Sequence, residues 1–133
     1  MSILDQLRAD YAQFPKNQSY DLYAEDVFFK DPLNQFRGVQ RYREMIGFME
    51  TYFLEVSMEL HQMEQVHQTI HTRWTLRWQA PLPWRPQMAI SGTSQLQLND
   101  QGLICTHIDA WDCSRWAVLR QLFGGSTQAG NPL

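Results

Sequence analysis

The spacing of apolar residues changes period near the middle of the chain. Across Ser2–Phe14 the apolar side chains Ile3, Leu4, Leu7, Tyr11 and Phe14 fall on one face of a helix. Ser2 stands where an N-cap is needed, with Asp5 three residues on, and Pro15 ends the segment. Tyr20 to Glu25 reads as a short helix, and Val27 to Lys30 as a short strand that stops at Asp31-Pro32. Val39, Tyr42, Met45, Ile46, Met49, Tyr52 and Phe53 then recur at helical spacing and predict a second long helix with an ordinary core-facing stripe.

Beyond this point the period drops to two. Leu54, Val56, Met58 and Leu60 alternate with Glu55, Ser57, Glu59 and His61. Ile70, Thr72, Trp74, Leu76 and Trp78 alternate with Thr69, His71, Arg73, Thr75 and Arg77. Alternation of this kind marks strands with one buried and one wetter face. Pro81, Pro83 and Pro86 exclude a ladder, so residues 80–86 form a stiff hairpin loop. Met88–Leu98 is the next strand, Asn99–Gly102 a turn, and Leu103–Asp112 the last strand. Ser114 caps a closing helix through Trp116, Leu119, Leu122 and Phe123, with Gly124 behind it. Consecutive strands joined by short turns form an antiparallel meander. The pattern predicts one α+β domain over residues 1–124, with N-terminal helices packed into a curved antiparallel sheet. Residues 125–133 are expected to be a disordered tail.

Composition narrows the function. A chain of 133 residues with 44% apolar and 13% aromatic content can build one core. The net charge is −3 and the eleven basic residues are scattered, so nucleic acid is not an expected partner. No apolar run nears the ~18 residues of a membrane span, and a membrane is not expected as a partner either. The opening MSILDQLRADY lacks the basic start and unbroken apolar stretch of a secretory signal, which points to a cytoplasmic protein. Cys105 and Cys113, eight residues apart on one strand, would sit about 26 Å apart and stay reduced. His67 and His71 on a strand lie about 13 Å apart, too far for one metal ion. No HExxH, CxxC, GxSxG or Gly-rich phosphate loop occurs, so no metal or cofactor is expected.

Several marks recur in a fixed order: an aromatic strand ending in Asp31-Pro32, Gly38 opening the long helix, Ile90-Ser-Gly92-Thr-Ser94, the turn ending in Gly102, and His107-Ile-Asp109-Ala-Trp111-Asp112. Over about residues 20–113 this order resembles the nuclear-transport-factor-2-like superfamily. In detail, Pro83-Trp84-Arg85-Pro86 with His107-Ile108-Asp109 and Trp111-Asp112-Cys113 looks like an uncharacterised family of cyanobacteria and plants, domain of unknown function 2358. The superfamily resemblance implies a cone, with a sheet curled around helices and a pocket between them. Its members include isomerases, polyketide cyclases, dehydratases, epoxide hydrolases and non-catalytic partner domains, so fold alone does not name a chemistry.

The sharpest candidate pair is Asp109 and His107. Two apart on a strand, they share a face with Cys105 and Trp111. A carboxylate beside an imidazole and a Trp suits proton transfer, because an apolar wall raises a carboxyl towards neutrality. The opposite face, with Ile104, Ile108 and Ala110, is an equal candidate for the pocket side. Asp31, which the resemblance places near the pocket mouth, is a third catalytic candidate and also an ordinary turn residue. Met58, Trp74, Trp78, Met88, Ile90, Trp111 and Tyr42 form the expected ligand-binding set. Trp84, in the proline loop, suits a lid or a dimer contact.

Three functions remain. The first is a pocket protein for a small, largely apolar molecule, which calls for a cavity of roughly 300 Å3 or more. The second is a cofactor-independent isomerase, cyclase or dehydratase, which needs an ionisable group inside that cavity. The third is a homodimeric interaction module, which calls for a large apolar patch on the outer sheet face.

Overall fold

The computed structural model describes residues 2–124. Helix α1 spans Ile3–Gln13, and Ser2 Oγ accepts the Asp5 amide proton at 3.1 Å, as the capping pattern requires. Strand β1 (Tyr23–Lys30) and the short β2 (Gln35–Arg37) precede helix α2 (Val39–Tyr52). The meander follows as β3 (Leu54–Val66), β4 (Thr69–Gln79), β5 (Gln87–Leu98) and β6 (Ile104–Trp111), and α3 (Arg115–Gln121) closes the described chain. One six-stranded sheet runs in the order β2-β1-β6-β5-β4-β3. The expected α+β architecture is present. The sheet is antiparallel except at one seam, where β1 lies parallel to β6 and aligns Phe29 with His107. No described helix is long and apolar enough to cross a membrane. The expected tail, residues 125–133, lies outside the described residues.

The expected helix over Tyr20–Glu25 is instead a single 3-10 turn, Tyr20–Leu22, followed by strand. Tyr23 pairs with Ile104 and Ala24 is buried. A ladder partner eighty residues away outweighs the weak local preference. β3 also runs past the expected His61 to Val66. At His61 the register slips, since Leu60 faces Trp74 while Gln62 faces Arg73. One extra residue keeps Met63 aligned with Thr72 but breaks the period-two pattern that the sequence displays.

A second bulge falls at Cys105. Leu98 faces Ile104 while Gln97 faces Thr106. Ile104 is therefore fully buried beside Leu7, Val27, Ile70 and Leu96, although straight alternation assigns it to the face opposite His107. Cys105, expected to share the face of His107 and Asp109, is the bulged residue, and its thiol donates to the Gln97 carbonyl. Cys105 and Cys113 are both free thiols.

The concave face carries the core. One cluster joins Trp74, Leu76, Trp78, Met88, Ile90 and Val118, and another joins Phe29, Tyr42 and Ile46. β6 leaves β5 beyond the Gly92–Trp111 pair. There Gln121, 2% exposed, takes its place: Oε1 accepts the Ala89 amide proton at 2.7 Å and Nε2 donates to the Ala89 carbonyl at 3.0 Å. A side-chain amide thus completes the ladder and anchors α3. The convex face is polar. Arg77 pairs with Glu59, Arg73 pairs with Asp112, and a hydroxyl chain links His61, Thr75 and Ser91. Ile108 is the exposed large apolar side chain on β6.

Candidate functional site

Helices α1 and α2 do not fill the concave sheet. They leave a cavity of about 210 Å3. Its aromatic walls come from α1 (Tyr11), α2 (Tyr42), β1 (Tyr23, Phe29) and the meander strands (Trp74, Trp78, Trp111), with Met45, Met49 and Met58 filling the spaces between rings. Phe53 and Trp78 stack with ring centroids 4.6 Å apart. The volume is below the roughly 300 Å3 expected of a ligand pocket. It exceeds the ~150 Å3 of a dry apolar cavity that admits benzene, so a single substituted ring is the size that fits.

Of the ligand-binding set, Met58, Trp74, Trp78, Ile90, Trp111 and Tyr42 line the cavity. Met88 does not; it is packed within the core cluster that includes Val118. Trp84 is no lid, because its Nε1 donates to the Leu122 carbonyl at 2.6 Å, away from the cavity lining. Asp31 sits at the mouth, where Oδ1 accepts the amide protons of Leu33 and Asn34 at 2.8 and 2.6 Å. That carboxylate is committed to holding its own turn.

Asp109 and His107 both reach the cavity, so the inner face of β6 is the one that carries them. They form one polar corner in an apolar chamber. Trp74 Nε1 donates to Ser94 Oγ at 2.9 Å, and Ser94 donates to Asp109 Oδ1 at 2.5 Å. His107 Nε2 lies 2.8 Å from the same Oδ1, and Nδ1 lies 3.1 Å from Tyr23 Oη. Tyr23 in turn donates to Tyr42 at 3.2 Å.

These contacts link Asp109, His107, Tyr23 and Tyr42 in one hydrogen-bonded chain. Asp109 Oδ1 carries both hydrogen bonds, and among the described residues no donor reaches Oδ2. The carboxylate keeps one oxygen for whatever enters.

Ser94 is absent from the sequence-derived set. Its signal was the parity of β5, since Ile90 and Ser94 both point inward. Asp10 was also missed. It is 6% exposed and takes the Ser19 amide and hydroxyl protons at 3.1 and 2.9 Å, tying α1 to the following loop. Burial raises its carboxyl, against the lowering effect of the Ser19 bonds.

Burial also dominates the phenols. It pushes Tyr11 up to about 12, against the 2.7 Å bond to Thr72 and aided by the Asp109 charge. Tyr23 and Tyr42 are driven well above the ordinary value by burial first. A phenol held high keeps its proton in the folded chain, while the unfolded chain releases it above pH 10. The stability that these groups contribute is complete below pH 10 and is lost as pH rises beyond it. Three such groups give a loss of about 4 kcal/mol per pH unit once past that value. Phenolate absorbance and circular dichroism followed together should show these tyrosines ionising only as the fold is lost. Smooth ionisation with the fold intact would contradict their burial.

The architecture has many solved counterparts. A hypothetical protein with a ketosteroid isomerase-like fold from Catenulispora acidiphila, solved in complex with trimethylamine, superposes with a TM-score of 0.71 at 15% identity, covering 90% of this chain and 91% of that one. A putative SnoaL-like polyketide cyclase from Shewanella putrefaciens gives 0.70 at 17% identity, covering 94% and 99%. An LEH-like epoxide hydrolase from M. tuberculosis gives 0.69 at 12% identity, covering 92% and 87%. At these identities the likeness shows the fold alone, and that fold is the nuclear-transport-factor-2-like one. The family model described as "Uncharacterized conserved protein (DUF2358)" matches residues 1–107, and the chain belongs to that family. No curated protein matches the sequence.

Proposed function

We propose that the cavity binds a small, largely apolar molecule, about the size of one substituted ring, with a single polar group set against Asp109. The observation that carries this reading is the make-up of the wall: mostly aromatic, Met, Leu and Ile side chains, with Asp109 and His107 set deep in one polar corner and Asp10, Ser19 and Asp31 elsewhere on the lining. Apolar walls supply the affinity and a single polar corner fixes orientation. The lining includes no Lys or Arg, so an anionic ligand would be repelled by Asp109 without compensation.

A second reading follows from the contact of His107 Nε2 with Asp109 Oδ1 at 2.8 Å inside the cavity. Asp109 Oδ2 is placed to give or take a proton at a bound molecule, and His107, with Tyr23 behind it, would restore the charge. That is the chemistry of a cofactor-independent isomerase, cyclase or dehydratase, and a putative polyketide cyclase is among the fold neighbours.

Native mass spectrometry of protein purified from its own host should reveal a retained small molecule. Met45→Trp, which fills the chamber from α2, should abolish retention and lower affinity at least tenfold while circular dichroism stays unchanged. Retention undiminished in this variant would move the ligand elsewhere and end the reading.

A further inference from the structure

We propose that the end of the molecule formed by α3 and the 80–86 loop docks onto an anionic lipid bilayer. α3 buries Ala117, Val118 and Gln121 against the sheet. Its other side carries Trp116 (69% exposed) and Leu119 (46%), and Phe123 (82%) follows directly. Their spacing of three and four residues keeps them on one face. Trp84, 57% exposed, is fixed beside them by its hydrogen bond to the Leu122 carbonyl. Isolated exposed apolar residues are normal, but four large ones gathered at one end from two segments mark a contact surface.

The charges around them choose the partner. Arg85, Arg115 and Arg120 are exposed, and none forms an ion pair among the described residues. Residues 79–90 and 113–124 contain no Asp or Glu. The nearest carboxylate along the chain, Asp112, is taken by Arg73. In a chain of net charge −3 this end is cationic. Trp, Phe and Leu among Arg side chains is the composition that settles at a bilayer interface, with rings in the headgroup boundary and guanidinium groups on lipid phosphates. These side chains project outward and line neither the ligand cavity nor the polar pocket on the sheet around His71 and Arg73. Projecting groups suit a partner that deforms around them. The lack of a spanning helix counts only against insertion across the bilayer.

The test is co-sedimentation of the full chain with phosphatidylcholine vesicles, with and without phosphatidylglycerol. Wild type should partition to the phosphatidylglycerol vesicles and much less to pure phosphatidylcholine. Trp116→Ser with Phe123→Ser should lower partitioning on the order of tenfold or more, given the apolar area these side chains would bury. Arg115→Gln with Arg120→Gln should sharply cut the preference for the anionic surface, each charge accounting for roughly fivefold. All four positions are exposed, and near-UV circular dichroism checks that the fold persists. Equal partitioning to both vesicle types, or partitioning unaffected by the substitutions, overturns the proposal. So does light scattering in which wild type is a dimer and the Trp116/Phe123 variant a monomer, because a second copy would then own the surface.

Discussion

Gly92→Ala is expected to destabilise the fold by at least 3 kcal/mol, lowering the melting temperature by about 10 °C. Gly92 lies in β5 between Trp74 of β4 and Trp111 of β6. A methyl group there collides with the backbone carbonyl oxygen of Ala110 and comes within 3.2 Å of Trp74 Cη2. Backbone cannot rotate out of the way as a side chain can. Relief requires β6 to move off β5, and β6 carries His107 and Asp109. The same substitution at Gly47 is the control. It lies within α2 with nothing inside 4 Å of the added carbon, and should stabilise the protein by about 0.5–1 kcal/mol. Thermal denaturation of the two variants side by side decides the matter, and equal melting temperatures would contradict the close approach at Gly92.

The second large effect concerns Asp109. Asp109→Leu should cost about 3 kcal/mol, because Ser94 Oγ and His107 Nε2 both lose their acceptor inside an apolar chamber, at about 1–3 kcal/mol each. Asp109→Asn keeps the shape and one acceptor oxygen, so its cost should stay near 1 kcal/mol. The same change removes the carboxylate. Affinity for the retained ligand should fall roughly tenfold or more, the worth of a hydrogen bond to an ionised group. Urea denaturation gives the first pair of numbers and calorimetry the last. A wild-type affinity in Asp109→Asn would remove Asp109 from the site. If a turnover is found, its survival in this variant would reject the acid–base reading while leaving binding intact.

Much of this site was legible along the chain. Helical spacing located α1 and α2, and period-two runs located most of β3 to β6. Trp74, Trp78 and Ile90 declared their inward face through alternation that needed no partner to be visible. Asp109 and His107 stood out as an acid and a base two residues apart. Ser94 carried the same parity as Ile90 but no distinctive chemistry, since a lone serine on a strand gains meaning only when an acceptor lies across the ladder. Met88 shared that parity too, yet the cavity does not reach it.

Local pattern determines what nearest neighbours in sequence can decide: where helices and strands form, which strand face is apolar, and that the fold is α+β. It determined the resemblance to a cone-shaped fold as well. Tertiary structure alone decided that β1 joins β6 in parallel and that bulges at His61 and Cys105 shift the register. It also decided that Ser94 and His107 converge on a single carboxylate, with Tyr23 behind His107. Those outcomes depend on strand pairs distant along the chain, whose energies appear only once the backbone has brought them within hydrogen-bonding distance.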